Sequence, residues 1–301
     1  METVGVQAHR GGFLVDEPEV TVGVVRAVSR LEGLEVELIS RVPGDRVGPP
    51  GDRWPPVYDE GVDLRLGWLD DGRVRWAYPA LRSSTSHYQF PSAHFRATFA
   101  LPSLFGDVSL VLAWPEVGFP ETVVGVALPD RATVERDDSP LWTAGVGLPV
   151  TGDLVRYPTS PERAEFDVES GTVVAAPVVL HGSTEAVVAL TRATVVGSRL
   201  SLEVLSTARG DKGETVRAAF GPAPFDRWGR PPYGVAIAVV DGAVAHELRS
   251  SGGGASTDAR GYTAETEFVV PRPETDFLDL VVSWPLAGLD EVRVRVGLSH
   301  G

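Results

Sequence analysis

The stretch that decides the fold is LDLVVSWPLAGLDEVRVRV, residues 278–296, which has a counterpart in VSLVLAWPEVGFPETVVGV, residues 108–126. Each begins with a valine- and leucine-rich run, reaches Trp-Pro, and continues after a glycine into a second run. Apolar residues that alternate with polar ones indicate strands with one face toward a core. Proline cannot donate a hydrogen bond within a sheet, so Trp114-Pro115 and Trp284-Pro285 predict strand ends packed at a sheet corner.

Two further pairs of segments repeat in the same order. The segment EVTVGVVRAVSRLEGLEVELIS (19–40) aligns without a gap with EAVVALTRATVVGSRLSLEVLS (185–206). After it, GVDLRLG (61–67) corresponds to GVAIAVV (234–240). Because the matching elements keep the same order, the chain is predicted to be two copies of one domain. Identical positions in the first pair include Arg26 and Arg192, and Glu37 and Glu203.

Turn signals separate the predicted strands. Asp71-Gly72 and Asp241-Gly242 predict tight hairpins, because such turns need positive φ angles. No long stretch has a helical period, and each copy contains about seven predicted strands, the number in an immunoglobulin domain. The fold class is therefore all-β, with two tandem repeats of an immunoglobulin-like β-sandwich. A jelly-roll-like fold or a partly open barrel would produce the same pattern.

The division of the chain follows from these repeats. Residues 1–130 form the first predicted sandwich and residues 173–301 the second. Between them, residues 131–172 are richer in charge, proline and glycine, and contain Leu141, Trp142 and Tyr157. This segment is predicted to be a linker packed on the domains, with an edge strand as one way of covering an open sheet.

Composition narrows the class of partner. The net charge is −14, from 27 basic and 41 acidic residues. The basic residues are scattered, whereas a phosphate-binding surface needs them clustered, so no nucleic-acid partner is expected. No apolar run reaches bilayer length and no secretory signal is visible, so no membrane partner is expected. With no cysteine in the sequence, the expected location is cytoplasmic.

The strongest similarity outside the strands is between two loops. GPPGDRWPPVYDEGV (48–62) and GPAPFDRWGRPPYGV (221–235) both contain Asp-Arg-Trp, then Pro-Pro, then Tyr. Rigid aromatic side chains on proline-bearing loops are typical of recognition surfaces. The alternative is that each tryptophan caps its own core, with the arginine stacked on it or paired to the aspartate. The candidate binding residues are Arg53, Trp54, Tyr58, Arg227, Trp228 and Tyr233.

Motifs for catalysis or metal binding are absent from the sequence. Adjacent acidic residues lie on predicted turns and do not form a facing pair or a calcium loop. His87 and His94 share one segment, but there is no HExxH motif and no G-x-S-x-G elbow. The glycine run SSGGGAS (250–256) opens no helix, so it is predicted to be a flexible loop rather than a phosphate cradle. No catalytic residue, cofactor or metal is predicted.

The second copy resembles a group of functionally uncharacterised actinobacterial proteins. The resemblance lies in DGAV, SSGGGAS, VVPRPETD and LVVSWPLAGLDEV, which end in the Trp-Pro-x-x-Gly motif that the tails of that group carry. The first copy has SSTSHYQFPSAH in place of the glycine run. The resemblance implies no activity and no site residues.

Three functions remain as hypotheses. The first is a non-enzymatic protein that binds another protein through two similar aromatic surfaces. The second is a carbohydrate- or small-ligand-binding module that uses the same tryptophans as stacking platforms. The third is a hydrolase whose site is assembled from distant loops.

Overall fold

The structure is a computed structural model that describes residues 3–43, 46, 64–78, 85–89, 92–159, 171–219, 234–258 and 261–299. The chain divides into two compact units. The first unit comprises Gly5–Asp138 and Val168–Gly171. The second unit comprises Met1–Val4, Ser139–Asp167 and Thr172–Gly301.

The described residues of the first unit form ten strands and one helix. They are β1 (Val6–Gln7), β2 (Gly12–Asp16), β3 (Thr21–Arg30), β4 (Gly33–Pro43), β5 (Arg65–Asp70), β6 (Arg73–Ala77), β7 (Thr85–Gln89), β8 (Ser92–Leu101), β9 (Asp107–Trp114), β10 (Phe119–Ala127) and α1 (Arg131–Asp137).

The described residues of the second unit form twelve strands and one helix. They are β11 (Leu148–Pro149), β12 (Val155–Pro158), β13 (Thr172–Ala175), β14 (Val178–Gly182), β15 (Ala186–Val196), β16 (Arg199–Ala208), α2 (Gly210–Ala219), β17 (Ala236–Asp241), β18 (Val244–Glu247), β19 (Ser250–Asp258), β20 (Gly261–Pro271), β21 (Phe277–Trp284) and β22 (Leu289–Gly297).

The all-β, immunoglobulin-like prediction is confirmed by the strand order. In the first unit one sheet has the order β3-β4-β8-β7 and the other β10-β9-β5-β6. These correspond to strands A-B-E-D and G-F-C-C′ of an immunoglobulin sandwich. In the second unit the orders β15-β16-β20-β19 and β22-β21-β17-β18 repeat both sheets.

Each unit buries the space between its two sheets. In the first unit Leu38 and Phe99 from one sheet join Leu66 and Leu112 from the other in one cluster, and all four are at most 1% exposed. Since alternate residues of each strand point inward, the outward positions are free for polar side chains. The second unit has an equivalent cluster that includes Leu190, Leu202, Leu280 and Val282.

The two Trp-Pro motifs end their strands as predicted. Trp114 and Trp284 are 0% exposed, and each is followed by one turn of 3-10 helix. The turn closes with Gly118 or Gly288 in the left-handed conformation, at φ 76° and 75°. Glycine is required there because a side chain is strained at positive φ.

The two predicted hairpins also form, with different turns. Asp71 and Gly72 both have positive φ, at 48° and 75°, which is the type I′ pattern. In the second hairpin Gly242 alone is positive, at 59°, and Asp241 pairs with Val244. A positive φ at the first turn position is the type II′ pattern.

The shared arginine and glutamate positions lie beside a shared bulge. The register between β3 and β4 shifts at Val24/Arg26, so that Arg26 lies opposite Glu37. The register between β15 and β16 shifts in the same way, and Arg192 Nη2 lies 3.0 Å from the Glu203 carboxylate. A bulge adds one residue and redirects the side chains that follow it. The sequence identity at these positions therefore coincides with a common irregularity of the sheet.

The segment predicted as a linker, 131–172, is divided between the units. Its first part is α1, which belongs to the first unit and begins where Asp130 accepts a hydrogen bond from the Thr133 amide at 2.7 Å. Residues 148–158, called the strap below, belong to the second unit. The strap adds β11 antiparallel to β22 and β12 parallel to β18, so it extends both edges of that sheet.

The prediction of a flexible glycine loop at 250–256 is wrong. These residues belong to β19, which pairs with β20 over most of its length. A Cβ at Gly253 would lie 2.4 Å from the Glu265 carbonyl oxygen. The glycines therefore permit a close approach of two backbones, which the composition of the run does not distinguish from flexibility.

Among the described residues, no helix is long and apolar enough to cross a membrane.

We expect Gly118→Ala to lower the free energy of unfolding by about 1–2 kcal/mol, because alanine is strained in the left-handed conformation. The matched control is Gly125→Ala in β10, where an added Cβ would meet nothing within 4 Å and φ is not positive. Urea denaturation measures both variants. An equal effect of the two substitutions would contradict the role given to the Gly118 backbone.

Candidate functional site

The six residues predicted from the aromatic loops lie outside the described residues. They are Arg53, Trp54, Tyr58, Arg227, Trp228 and Tyr233. The elements before and after each loop are described, however: β4 and β5 in the first unit, and α2 and β17 in the second. We call the end of each sandwich at which strand B ends and strand C begins its loop end.

Each aromatic loop connects strand B to strand C across the two sheets. In the first unit it follows β4 and precedes β5. The first residue of β5, Arg65, pairs with Ala113, which directly precedes Trp114. In the second unit the loop follows α2 and precedes β17, whose first residue, Ala236, pairs with Ser283. Both loops therefore enter their second strand beside a buried tryptophan and its Trp-Pro turn.

The buried tryptophans join the two sheets at the loop end. Phe95 of β8 meets the Trp114 ring edge-on, with ring centroids 5.2 Å apart. In the second unit the rings of Tyr262 and Trp284 are 5.8 Å apart. Burial raises the pKa of Tyr262 to about 12, so its hydroxyl stays protonated. These rings belong to the cores, as predicted for Trp114 and Trp284, and form a rigid base under each loop end.

In the first unit one arginine bridges two turns of the loop end. Arg46 donates to both carboxylate oxygens of Glu19 at 3.0 Å, and to the Val117 carbonyl at 3.4 Å. Glu19 precedes β3, and Val117 lies in the Trp-Pro turn. An exposed ion pair of this kind stabilises weakly, by about 0–1 kcal/mol. Arg46 thus links the two turns through contacts at the surface.

In the second unit α2 packs on the loop end. A Cβ at Gly288 would lie 2.8 Å from Lys212 Nζ, so the lysine covers the Trp-Pro turn. A Cβ at Gly213 would lie 2.8 Å from the Ala208 carbonyl oxygen. The glycine lets the helix approach the end of β16, and the composition GDKGETVRAA did not predict a helix at this place.

A further aromatic residue at the second loop end was not assigned there from the sequence. The Arg209 guanidinium lies 4.0 Å from the centre of the Trp142 ring, and its Nε donates to the Thr184 carbonyl at 2.9 Å. Trp142 is half-buried beside Leu141 and Val179. Such a cation–π contact orients the ring at the surface. The only signal in the sequence was the presence of Trp142 in the predicted linker, where an aromatic residue indicates packing on a domain.

The described residues do not assemble a metal site. Among them, no group of three or more histidine or acidic side chains could hold a metal ion. His87 and His94 lie directly opposite one another across the β7–β8 hairpin. Only the backbone is described at this pair.

The carboxylate of Asp279 has a strongly lowered pKa. Asp279 on β21 accepts from Arg293 at 2.8 Å and from Arg295 at 2.8 and 2.9 Å. Hydrogen bonds from Arg295 and then Arg293 lower the pKa of Asp279 from 3.8 to about 2, against the opposing effect of burial. The three residues lie on the paired strands β21 and β22, so this is a structural ion cluster of the sheet.

Comparisons with known proteins provide no functional assignment. No protein-family model matches the sequence, and no curated protein matches it. A crystal structure of bovine butyrophilin is similar at 11% identity, over 90% of this chain and 93% of that chain, with a TM-score of 0.24. A conserved domain protein from Bacillus anthracis is similar at 10% identity, over 98% and 80% of the two chains, with a TM-score of 0.23. At these TM-scores neither similarity supports an argument about this protein.

We expect Asp279→Asn to destabilise the second unit at neutral pH by about 1–2 kcal/mol. The folded pKa lies below the unfolded one, so this contribution is complete above about pH 5 and is lost as the pH falls through 3.8 toward 2. Urea denaturation at several pH values should therefore show the variant and the wild type converging below pH 4. The control is Asp107→Asn, an exposed carboxylate at the start of β9. A pH-independent difference for Asp279→Asn would contradict the electrostatic cause.

Proposed function

We propose that the protein is a non-enzymatic binding module whose two loop ends recognise another protein, with its place of action in the cytoplasm. The proposal is supported by the strands that border the two Asp-Arg-Trp segments along the chain. Each connects strand B to strand C and enters strand C beside the Trp-Pro turn between strands F and G. Loops that share both sequence and position favour a shared binding role over independent drift.

The fold makes this end suitable for recognition. In antibody variable domains the B–C and F–G loops lie at one end of the sandwich and form part of the antigen-binding surface. This is an analogy of fold, and a fold alone does not determine function. What supports the proposal in this chain is the combination of tryptophan, tyrosine and arginine, the residue types enriched at the energetic centres of interfaces.

The two loop ends need not contribute equally. Arg46 and Glu19 bridge turns in the first unit, whereas α2 and Lys212 cover the Trp-Pro turn in the second. Two related surfaces with different surroundings can bind one partner with different strength. If both engage a single partner, the combined affinity exceeds that of either surface alone.

A pull-down from host lysate with quantitative mass spectrometry tests the proposal. We expect Trp54→Ala/Trp228→Ala to lose specific proteins that the wild type retains, because truncating a central interface tryptophan costs about 2 kcal/mol or more. Each single variant should lose part of the signal, and a protein recovered in this way should bind the purified wild type in calorimetry.

The matched control is Leu31→Ala. This side chain is 42% exposed and lies at the β3–β4 turn, at the opposite end of the first sandwich. Circular dichroism must show that all variants are folded. Retention of the same proteins by the tryptophan variant would reject the proposal and favour the core-capping alternative. Elution by free sugar instead would favour a carbohydrate module.

A further inference from the structure

The outer face of one sheet in the second unit is covered by its own chain. Four outward side chains from β17, β18 and β21 form a small apolar cluster, and Val150 and Leu154 of the strap pack against it. The four side chains are at most 8% exposed. They are Ala238, Val240, Ala245 and Val281.

The same positions in the first unit form an apolar face that is partly open. The strand registers equate these four residues with Gly67, Leu69, Val74 and Val111. This corrects by two residues the alignment of GVDLRLG (61–67) with GVAIAVV (234–240) made from the sequence. Leu69 is 38% exposed and Val74 is half-buried. A Cβ at Gly67 would lie 3.0 Å from the Trp76 ring, and Arg65 stacks 4.3 Å from the centre of that ring. Trp76 therefore covers Gly67 and leaves Leu69 at the surface.

The edge of the sheet beside this face is also covered in the second unit and is the last described strand in the first. In the second unit β12 runs parallel to β18, with the Val155 amide donating to the Ala243 carbonyl at 3.1 Å and the Thr159 amide to the Glu247 carbonyl at 3.0 Å. In the first unit β6 corresponds to β18. Within the part of the chain that the structure describes, β6 is the last strand of its sheet.

The hairpin geometry sets which groups of β6 face outward. The two-residue turn makes Asp70 and Arg73 a hydrogen-bonded pair. Because hydrogen-bonded and non-hydrogen-bonded pairs alternate, the backbone N–H and C=O of Val74 and Trp76 point away from β5. They are the counterparts of Ala245 and Glu247, which face β12.

Charge distinguishes the two edges. In the second unit the strap contributes Arg156, which lies 3.8 Å from Glu247 and 2.7 Å from Glu291. In the first unit β6 itself is basic, with Arg73 and Arg75 both exposed. Arg75 contacts the Asp70 carboxylate at 3.4 Å, but both side chains are more than half exposed. Such a pair can exchange one carboxylate for another at little cost.

We propose that β6 is a docking edge for an extended acidic segment of a partner protein, which adds a parallel strand as the strap does in the second unit. Acidic residues of this segment lie beside Arg73 and Arg75. The residues between them are apolar and lie on the same face of the sheet as Val74. In the second unit the apolar cluster is covered by Val150 and Leu154, which precede β12 in the strap. Main-chain hydrogen bonds at an exposed edge provide affinity in such complexes, and alternate side chains provide specificity. This inference does not depend on the function proposed for the aromatic loops.

A short fluorescein-labelled peptide that alternates glutamate and valine tests the proposal on the full chain. We expect saturable binding in fluorescence anisotropy, and chemical-shift changes at the Val74 and Trp76 amides in NMR. The variant Arg73→Glu/Arg75→Glu should bind the peptide about tenfold more weakly or worse. The same variant should bind a lysine–valine peptide more tightly than the wild type does.

Two controls make the result specific to the edge. Arg131→Glu/Arg136→Glu on α1 changes the net charge equally at exposed positions and should leave binding unchanged. Val74→Pro removes an outward N–H, which an edge strand tolerates, and should abolish binding in a chain with unchanged circular dichroism. Absence of binding to the wild type overturns the proposal. Equal binding of both peptides, or shifts confined to residues outside β5 and β6, overturns it as well.

Discussion

The packing of one tryptophan at the end of strand F is the constraint on which the rest of each unit depends. Trp114 and Trp284 are fully buried, and each contacts an aromatic ring from the opposite sheet. The proline that follows stops the strand, and the left-handed glycine returns the chain into strand G. The tryptophan thus fixes the spacing of the sheets, the position of one turn and the entry point of the B–C loop beside it.

The sequence predicts the features that arise from local chemistry. Alternation of apolar residues predicts the strands, and Asp-Gly predicts both hairpins, because these patterns depend on neighbours in the chain. The Trp-Pro motifs predict strand ends for the same reason. Similar segments occur in the same order in both halves of the chain. This order predicts two units whose strands are arranged in the same way. In the described residues the strand ends and both hairpins occur, but the units have ten and twelve strands rather than about seven, and the second turn is shifted by one residue, to Gly242-Ala243.

The sequence does not predict features that depend on which distant segments meet. The glycines of β19 are compatible with a loop or a strand, and the choice is made by pairing with β20. The helix α2 has little apolar character, and packing of Gly213 and Val216 against neighbouring strands stabilises it. Trp142 gains its position at the loop end through Arg209, which lies far along the chain. The aromatic loop residues are candidates from the sequence alone, whereas the arrangement of the described strands and turns at the loop end depends on contacts between distant segments.

The strap has a consequence for how many molecules can associate through these sheets. A sheet with two open edges can add strands on both sides, and such addition can continue from one molecule to the next. In the second unit the edges of the sheet are the strands β11 and β12, which have two and four residues and each end in a proline. Short edge strands that carry proline are poor templates for further pairing. A second unit whose sheet ends in such strands disfavours growth of an assembly along that sheet into a fibre.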